Sequence, residues 1–400
     1  MTVTGTASET AGAWQDLFAA AENFAPEIAE RAAEIEANRF LPQDIADRFA
    51  AAGLYRLCVP RAYGGYEAHP GDLVRVVERL ARADGSAAWC VFIGATSGLV
   101  AGFLEPAEAK RVFGDPRTIT AGVFAPRGKA VRASQDGVEG YRVTGRWQWG
   151  SGSRNASWIS GGALILGEDG KPEMAAEGVP QNRMMMFRAE DVTLHDTWDV
   201  SGLCGTGSTD FEVQDIFVPA ARAVSLISDK PLALPLYCFP TFGLLGIGIA
   251  AVALGLARGS IDALVELAGG KTPQGSSKPL AQRAKAHLDV SEADALTRSA
   301  RAFLMDTIED AWQAASANGE ITVAHRRDIR LATTHAVRSS ARAVDLMYTL
   351  AGGSSVYRSS ALQRQFRDVH VTTQHMMVSD ATLELTGRLL LGVPTNTAML

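Results

Sequence analysis

The segment from Pro231 to Ala257 contains no charged side chain and is bounded by Lys230 and Arg258, so it must leave water for either a lipid bilayer or a large protein core. Pro231, Pro235 and Pro240 break its first third. What remains from Thr241 is about 17 residues rich in Gly and Ala, short for a membrane span and suited to close helix packing. A buried core helix is therefore expected, with no membrane partner. Long helical patterns continue after it: Thr241 to Glu266, Leu280 to Ala317, Val323 to Leu350 and Val369 to Leu391. Short connections between them predict an antiparallel four-helix bundle over residues 223–400.

Two other regimes precede the bundle. Residues 1–118 read as an N-terminal helical domain, with apolar residues in helical register at Leu17, Ala20 and Phe24, at Ile45, Phe49 and Ala52, and at Leu73, Val76, Val77 and Leu80. The step Asp84-Gly85-Ser86 reads as a turn and N-cap for an apolar helix from Ala87. Over residues 119–222 the period changes to two, as in Tyr141 to Trp147 and Asp210 to Val218, with glycines at 137, 140, 152, 167 and 170 as turn formers. A central antiparallel β domain follows, making the fold class α+β.

Charge and cysteine usage exclude several functions. Against 38 Lys and Arg stand 44 Asp and Glu, a net charge of -6, which leaves no basic footprint for nucleic acid. Cys58, Cys90, Cys204 and Cys238 are dispersed with no Cys-x-x-Cys, which fits a reducing cytoplasm, and Met1 to Ala11 lacks the basic-then-apolar order of an export signal. His370 and His375 are five apart, off the spacing of a zinc-binding helix, so no metal is expected. Gly246-x-Gly248-x-x-Ala251 resembles a dinucleotide fingerprint but lies inside an apolar helix with no preceding strand, and close packing explains it better. No Gly-x-Ser-x-Gly elbow supports a serine hydrolase. Met184 to Met186 fill core space on a strand, and Arg367-Asp368, taken alone, reads as a salt bridge.

The order of helical layer, β domain and bundle, together with Leu57-Cys58-Val59-Pro60, Tyr63-Gly64-Gly65, Gly202 to Ser208, Gly352-Gly353, Gln363-Arg364 and Arg367-Asp368, resembles the acyl-CoA dehydrogenase superfamily over essentially the whole chain. Its dehydrogenases carry a catalytic carboxylate eight residues beyond the Arg-Asp pair; that position is Met376 here, and the span Pro231 to Ala257 holds no acid either. Methionine cannot abstract a proton. The details are instead similar to the monooxygenases of this fold that take reduced flavin from a separate reductase. The matching strings are Asp84 to Trp89, Gly145 to Gly152, and His375 seven residues after Asp368.

That resemblance implies reduced FAD, or alternatively reduced FMN, with O2 as co-substrate, an NAD(P)H:flavin reductase as partner, and oxygen transfer through a C4a-hydroperoxyflavin to an aromatic or heteroaromatic small molecule. It implies catalytic roles for Ser151, near flavin N5, and for His375, near the distal oxygen. Cofactor contacts are implied for Phe124, Ala125, Trp147, Trp149, Gly152, Gly352 and Gly353, and a substrate pocket for Trp89, Thr96, Ser97, Trp198 and Met376. Trp147 and Trp149, two apart on a strand, are expected to face the same side. The paired glycines imply a homotetramer or homodimer. Val91 to Val100 lacks the histidine that phenol hydroxylases place there, which suggests an intrinsically nucleophilic substrate such as an indole. Thr349 stands where the dehydrogenases have glutamine, which leaves FAD and FMN both open. Alternatives are an acyl-CoA dehydrogenase with a displaced carboxylate, for which Glu384 is the candidate, an N- or S-oxygenase on the same scaffold, and a non-catalytic flavin-fold protein.

Overall fold

In a computed structural model the described residues are 7–176 and 178–400, so Met1 to Thr6 of the segment read for export signals lie outside them. The N-terminal third builds α1 (Ala7–Asn38), α2 (Gln43–Ala51), α3 (Pro70–Ala81), α4 (Gly85–Ser97) and α5 (Pro106–Phe113). α4 starts two residues earlier than expected because Asp84 itself is the N-cap, its carboxylate accepting the Ala87 N–H at 2.9 Å.

The strands are β1 (Thr120–Gln135), β2 (Val138–Gly150), β3 (Trp158–Leu166), β4 (Met174–Ala176), β5 (Val179–Pro180), β6 (Asn182–Arg188), β7 (Thr193–His195), β8 (Thr209–Pro219) and β9 (Ala223–Val224). The main sheet has the order β7-β8-β2-β1-β3-β6-β9, and β4 pairs with β5 apart from it. β1 and β3 run parallel, so the sheet is mixed rather than antiparallel as expected. The cause is the connection after β2: the chain crosses to the other edge of β1, where its next strand must run with β1.

β2 also corrects the pairing of its two tryptophans. Trp147 is 0% exposed, stacks on Phe211 at 5.0 Å between ring centres and donates Nε1–H to the Gly162 carbonyl at 2.8 Å. Trp149 is 67% exposed with φ +66°. The register against β8 shifts between Trp147 and Gly150, and this irregularity turns the second indole off the face of the first. Trp147 is thus sheet core, unavailable to a cofactor.

The C-terminal part consists of α6 (Thr241–Gly270), α7 (Ala284–Asn318), α8 (Val323–Ala351), α9 (Ala361–Thr373) and α10 (Asp380–Leu390). α6 is long and apolar enough to cross a membrane, but 94% of its most apolar window is buried inside the protein. Its small residues serve approach: a Cβ on Gly248 would overlap the Phe92 ring of α4, and one on Gly255 the Glu78 carbonyl of α3. One hydrophobic core consequently runs from α1 through α4 and α6 into α8.

The fourth bundle helix, expected as one piece from Val369 to Leu391, is two helices separated at Gln374 to Ser379. Thr372 and Thr373 bond back to the carbonyls of Val369 (2.6 Å) and His370 (2.7 Å), and the His375 ring caps the next turn by accepting the Met377 N–H at 3.2 Å. The break therefore falls on the histidine itself.

The two tryptophans should separate in a thermal melt. Trp147→Ala is expected to lose about 3–5 kcal/mol, the usual cost of deleting a fully buried aromatic, whereas Trp149→Ala should stay within about 0.5 kcal/mol of the parent. Equal melting temperatures for the two variants would contradict the bulge.

Candidate active site

Three layers of the fold meet at Trp89. α4 carries this indole into the interior, edge-on to Phe92 at 4.8 Å between ring centres. Its Nε1–H donates to Ser151 Oγ at 3.0 Å, just past the end of β2, and its ring centre lies 6.1 Å from that of His375 in the break between α9 and α10. The residues expected to be catalytic, 224 positions apart in Ser151 and His375, are brought to one indole.

Ser151 is 6% exposed and belongs to a row of hydroxyls. Its Oγ lies 2.6 Å from Ser208 Oγ, which lies 2.7 Å from Thr206 Oγ1, which donates to the Leu203 carbonyl at 2.8 Å. The neighbouring Gly152 has φ +72° and donates its N–H to the Thr206 carbonyl at 2.9 Å, which fastens the Ser151 turn to the Cys204–Thr206 turn.

The same Leu203 is held from the bundle. Asp368 Oδ1 accepts the Leu203 N–H at 2.6 Å, and Arg367 donates to the Ser201 carbonyl at 2.6 Å and to both Glu36 carboxylate oxygens of α1 at 2.9 Å. Arg367 and Asp368 are thus not each other's partners, contrary to the simple salt-bridge reading. Each ties α9 to a different layer. Gly202 permits this, since a Cβ there would overlap the Arg367 carbonyl and the Asp368 nitrogen. Burial, with Asp84 nearby, pushes the Asp368 carboxyl up to about 7.

His375 is pushed the other way. Burial, reinforced by the Arg330 guanidinium, lowers it to about 4, so the ring is neutral at physiological pH. With Nδ1 accepting from Met377, the proton resides on Nε2, which leaves a neutral N–H donor. Arg330 is itself buried and held by neutral groups, Met377 Sδ at 2.9 Å and Thr382 Oγ1 at 3.1 Å, with Nε unpartnered.

The remaining expected residues distribute unevenly. Thr96, Ser97 and Phe124 line one small cavity of about 10 Å³ with Ser160, Met184 and Leu226. The Thr96 hydroxyl is committed to the Phe92 carbonyl at 2.8 Å, so it offers no free donor there. Trp198 is not among the cavity residues but braces the clasp, its Nε1 donating to the Leu203 carbonyl at 3.2 Å. Met376 is 63% exposed beside His375, and Glu384 is exposed on α10, which removes the support for a displaced catalytic carboxylate. Gly352, with φ +56°, and Gly353 sit on an exposed turn with open space where a Cβ would be.

These residues fit a flavin on two observations. Phe124 to Arg127 have no pairing residue in β2 or β3, because the β1–β3 register shifts between Val123 and Gly128, and this leaves backbone donors and acceptors for a polar ring. Trp149, exposed on its left-handed corner two residues before Ser151, provides an aromatic face at the end of β2. A flavin would be held by the Phe124–Ala125 backbone, Trp149, Ser151 and Gly152.

The acyl-CoA dehydrogenase N-terminal domain matches residues 15–107, and the acyl-CoA dehydrogenase C-terminal domain matches residues 247–380. The indole-3-acetate monooxygenase of Pseudomonas putida is 31% identical over 364 residues, 90% of each chain. Among solved structures, the 3-HSA hydroxylase from Rhodococcus sp. RHA1 superposes with a TM-score of 0.87 at 27% identity, over 96% of this chain and 99% of that one. XiaF from Streptomyces sp., in complex with FADH2 and glycerol, gives 0.85 at 28% identity, over 97% and 100%. The family models and these relatives define a flavin-dependent oxygenase class within the acyl-CoA dehydrogenase fold. This chain belongs to that family, in its branch of flavin-dependent monooxygenase oxygenase components.

Residue-by-residue reading of the sequence missed Ser208, Thr206 and Arg330. Ser208 and Thr206 lay inside the string Gly202 to Ser208, but their hydroxyl contacts arise from a turn no periodicity reveals. Arg330, one of several arginines in α8, carried no signal distinguishing it from a surface charge.

An unfolded histidine takes a proton near pH 6.5, whereas folded His375 resists until about 4, so in that window the unfolded chain binds more protons and stability falls on acidification. Asp368 acts oppositely: between 3.8 and about 7 the folded chain binds more protons, and stability falls as pH rises. Melting temperatures across pH 4–7 should show less loss on acidification in His375→Gln and less loss on alkalinisation in Asp368→Asn. In Arg330→Met the His375 ring, followed by NMR, should titrate above 4; an unmoved titration would dismiss the Arg330 field.

Proposed function

We propose that this chain is the oxygenase component of a two-component monooxygenase. It takes reduced FAD, or reduced FMN, from a separate NAD(P)H:flavin reductase and places one oxygen atom of O2 on an aromatic or heteroaromatic small molecule, the other leaving as water. The observation that carries this reading is the neutral His375 at the helix break, beside Trp89 and Ser151, where dehydrogenation would need a carboxylate. Bound reduced flavin supplies the electrons that activate O2. The protein's part is to hold and shield. Ser151 engages the flavin edge at N5, and His375 presents Nε2–H as a donor that can hydrogen-bond an oxygen atom without releasing a full proton. Trp89 and Phe92 keep water out of the space between them.

The substrate is an electron-rich ring, with an indole as the first choice. The α4 wall offers apolar surface and no base, and the Thr96 hydroxyl is already spent on its own helix. An indole carbon attacks electrophilic oxygen without prior deprotonation, whereas a phenol gains from it. The name of the Pseudomonas putida relative points the same way. The small cavity lined by Thr96, Ser97 and Phe124, whose ring sits edge-on to Phe242, marks one apolar side of the proposed pocket. Exposed Val356 and Tyr357 flank the paired glycines, and exposed Leu390 and Leu391 end α10; we read these as subunit contacts of a homotetramer or homodimer. The four free cysteines fit the cytoplasm.

Mixing the protein with chemically reduced FAD or FMN under ¹⁸O2, then screening indoles, phenols and thiophenes, should give a product carrying one labelled oxygen, with an indole the preferred class. His375→Ala should keep reduced-flavin binding within a fewfold and lower the ratio of product to hydrogen peroxide by about 100-fold. Anaerobic bleaching of bound flavin by an acyl-CoA, without reductase, would overturn the proposal in favour of dehydrogenation.

A further inference from the structure

The buried hydroxyls between Leu203 and Ser151 have only one consistent order of proton donation. A carbonyl oxygen cannot donate, so at 2.8 Å from the Leu203 carbonyl the Thr206 hydroxyl must, and its single proton is spent there. Thr206 Oγ1 can then only accept across the 2.7 Å contact with Ser208, which commits the Ser208 proton. Ser208 Oγ in turn can only accept across the 2.6 Å contact with Ser151, which commits the Ser151 proton as well. Trp89 Nε1–H donates to Ser151 Oγ at 3.0 Å and occupies one of its two lone pairs. Ser151, Ser208 and Thr206 are all buried, so no exposed rotamer is available to reverse the chain through bulk water.

What Ser151 has left is one lone pair and no proton. We infer that Thr206 and Ser208 are positioning residues that make Ser151 a one-way acceptor, and that this selects the reduced flavin. Reduced flavin carries a hydrogen on N5 and donates to an acceptor; oxidised flavin has a bare N5 lone pair, which a lone pair on Ser151 repels. A serine without this relay would rotate and serve either state. The inference rests on the flavin reading of the site and adds to it a structural reason for taking up flavin only after the reductase has acted, and for releasing it once oxidised.

The relay starts from a rigid point. The Leu203 carbonyl also receives Trp198 Nε1–H and the Thr206 N–H, each at 3.2 Å, while Asp368 holds the Leu203 N–H. Leu203 itself has φ +50°, a left-handed conformation that a leucine keeps only when its surroundings enforce it. The direction of the Ser151 proton is therefore set from the bundle, through one strained peptide and two hydroxyls.

The test is anaerobic titration of the full-length protein with FAD and FMN, each in both redox states, to give the ratio of oxidised to reduced dissociation constants. In Ser208→Ala the Ser151 proton is released to face N5, and the ratio should fall about tenfold, one hydrogen bond's worth, equivalent to about 30 mV in the two-electron potential of the bound flavin. Thr206→Val should shift it the same way, and Ser208→Thr, which keeps the hydroxyl, should restore the parental ratio. In a Ser151→Ala background, Ser208→Ala should have no further effect. A merely structural role would weaken both redox states together and leave the ratio alone. A parental protein that binds reduced flavin, with a ratio unmoved in both Ser208→Ala and Thr206→Val, overturns the relay but not the function. A parental protein that binds no reduced flavin removes the function and the relay with it.

Discussion

The arrangement depends on a hydrogen bond of 2.6 Å, from the Leu203 N–H to Asp368. Asp368 sits on α9, where its side chain is buried, and the acceptor it offers comes with a cost: its second oxygen has no partner, and its carboxyl titrates near neutrality. Such a group persists where it organises its neighbours. Here it stands beside Arg367, which reaches α1 through Glu36 and the loop before Leu203 through the Ser201 carbonyl, so two consecutive residues join bundle, N-terminal helices and sheet. The α9 backbone that they lock leads directly into the break that carries His375. His375 and the Ser151 loop are placed relative to one another by the same pair.

Much of this was legible in the sequence, and what was not has definable causes. The apolar run from Thr241, its small residues and the absence of acids led correctly to a core helix, because burial demands composition whatever the topology. Ser151 and His375 were singled out through strings that resemble a family, and the structure brings both to Trp89, which the sequence placed only as a pocket residue. The two-residue spacing of Trp147 and Trp149 misled because strand alternation assumes unbroken register, and a bulge costs no sequence signal beyond a glycine already present. The parallel β1–β3 pair was invisible for a related reason: alternation specifies a face and not a neighbour. The interrupted last helix looked continuous because its apolar pattern is continuous; hydroxyls and a ring nitrogen competing for backbone partners end it.

Electrostatics separate this site from that of a dehydrogenase on the same scaffold. A proton-abstracting carboxylate must be ionised and within reach of the substrate proton. Here the corresponding stretch of chain holds a methionine, Met376, that faces outward, and a histidine one residue earlier that faces Trp89. Burial keeps the ring from taking a second proton, and Arg330 behind it, with no carboxylate partner among the described residues, adds to the effect. A charged imidazolium would hand its proton to the first basic oxygen it met. A neutral one holds a hydrogen bond and no more, which is what an oxygen-transfer site needs from a group placed to steady rather than to protonate.

The two polar devices on either side of Trp89 then follow one rule. On the bundle side burial, reinforced by a neighbouring cation, holds His375 neutral; on the sheet side a hydroxyl row fixes the proton direction of Ser151. Both residues present a single hydrogen-bonding sense, donor from His375 and acceptor from Ser151, and neither can easily invert it in a buried setting where an unmet polar atom is costly. In the proposed function such a site would slow the loss of activated oxygen as hydrogen peroxide, because the hydroxyl protons of Ser151, Ser208 and Thr206 are committed to one another and a neutral His375 offers a hydrogen bond without releasing a full proton.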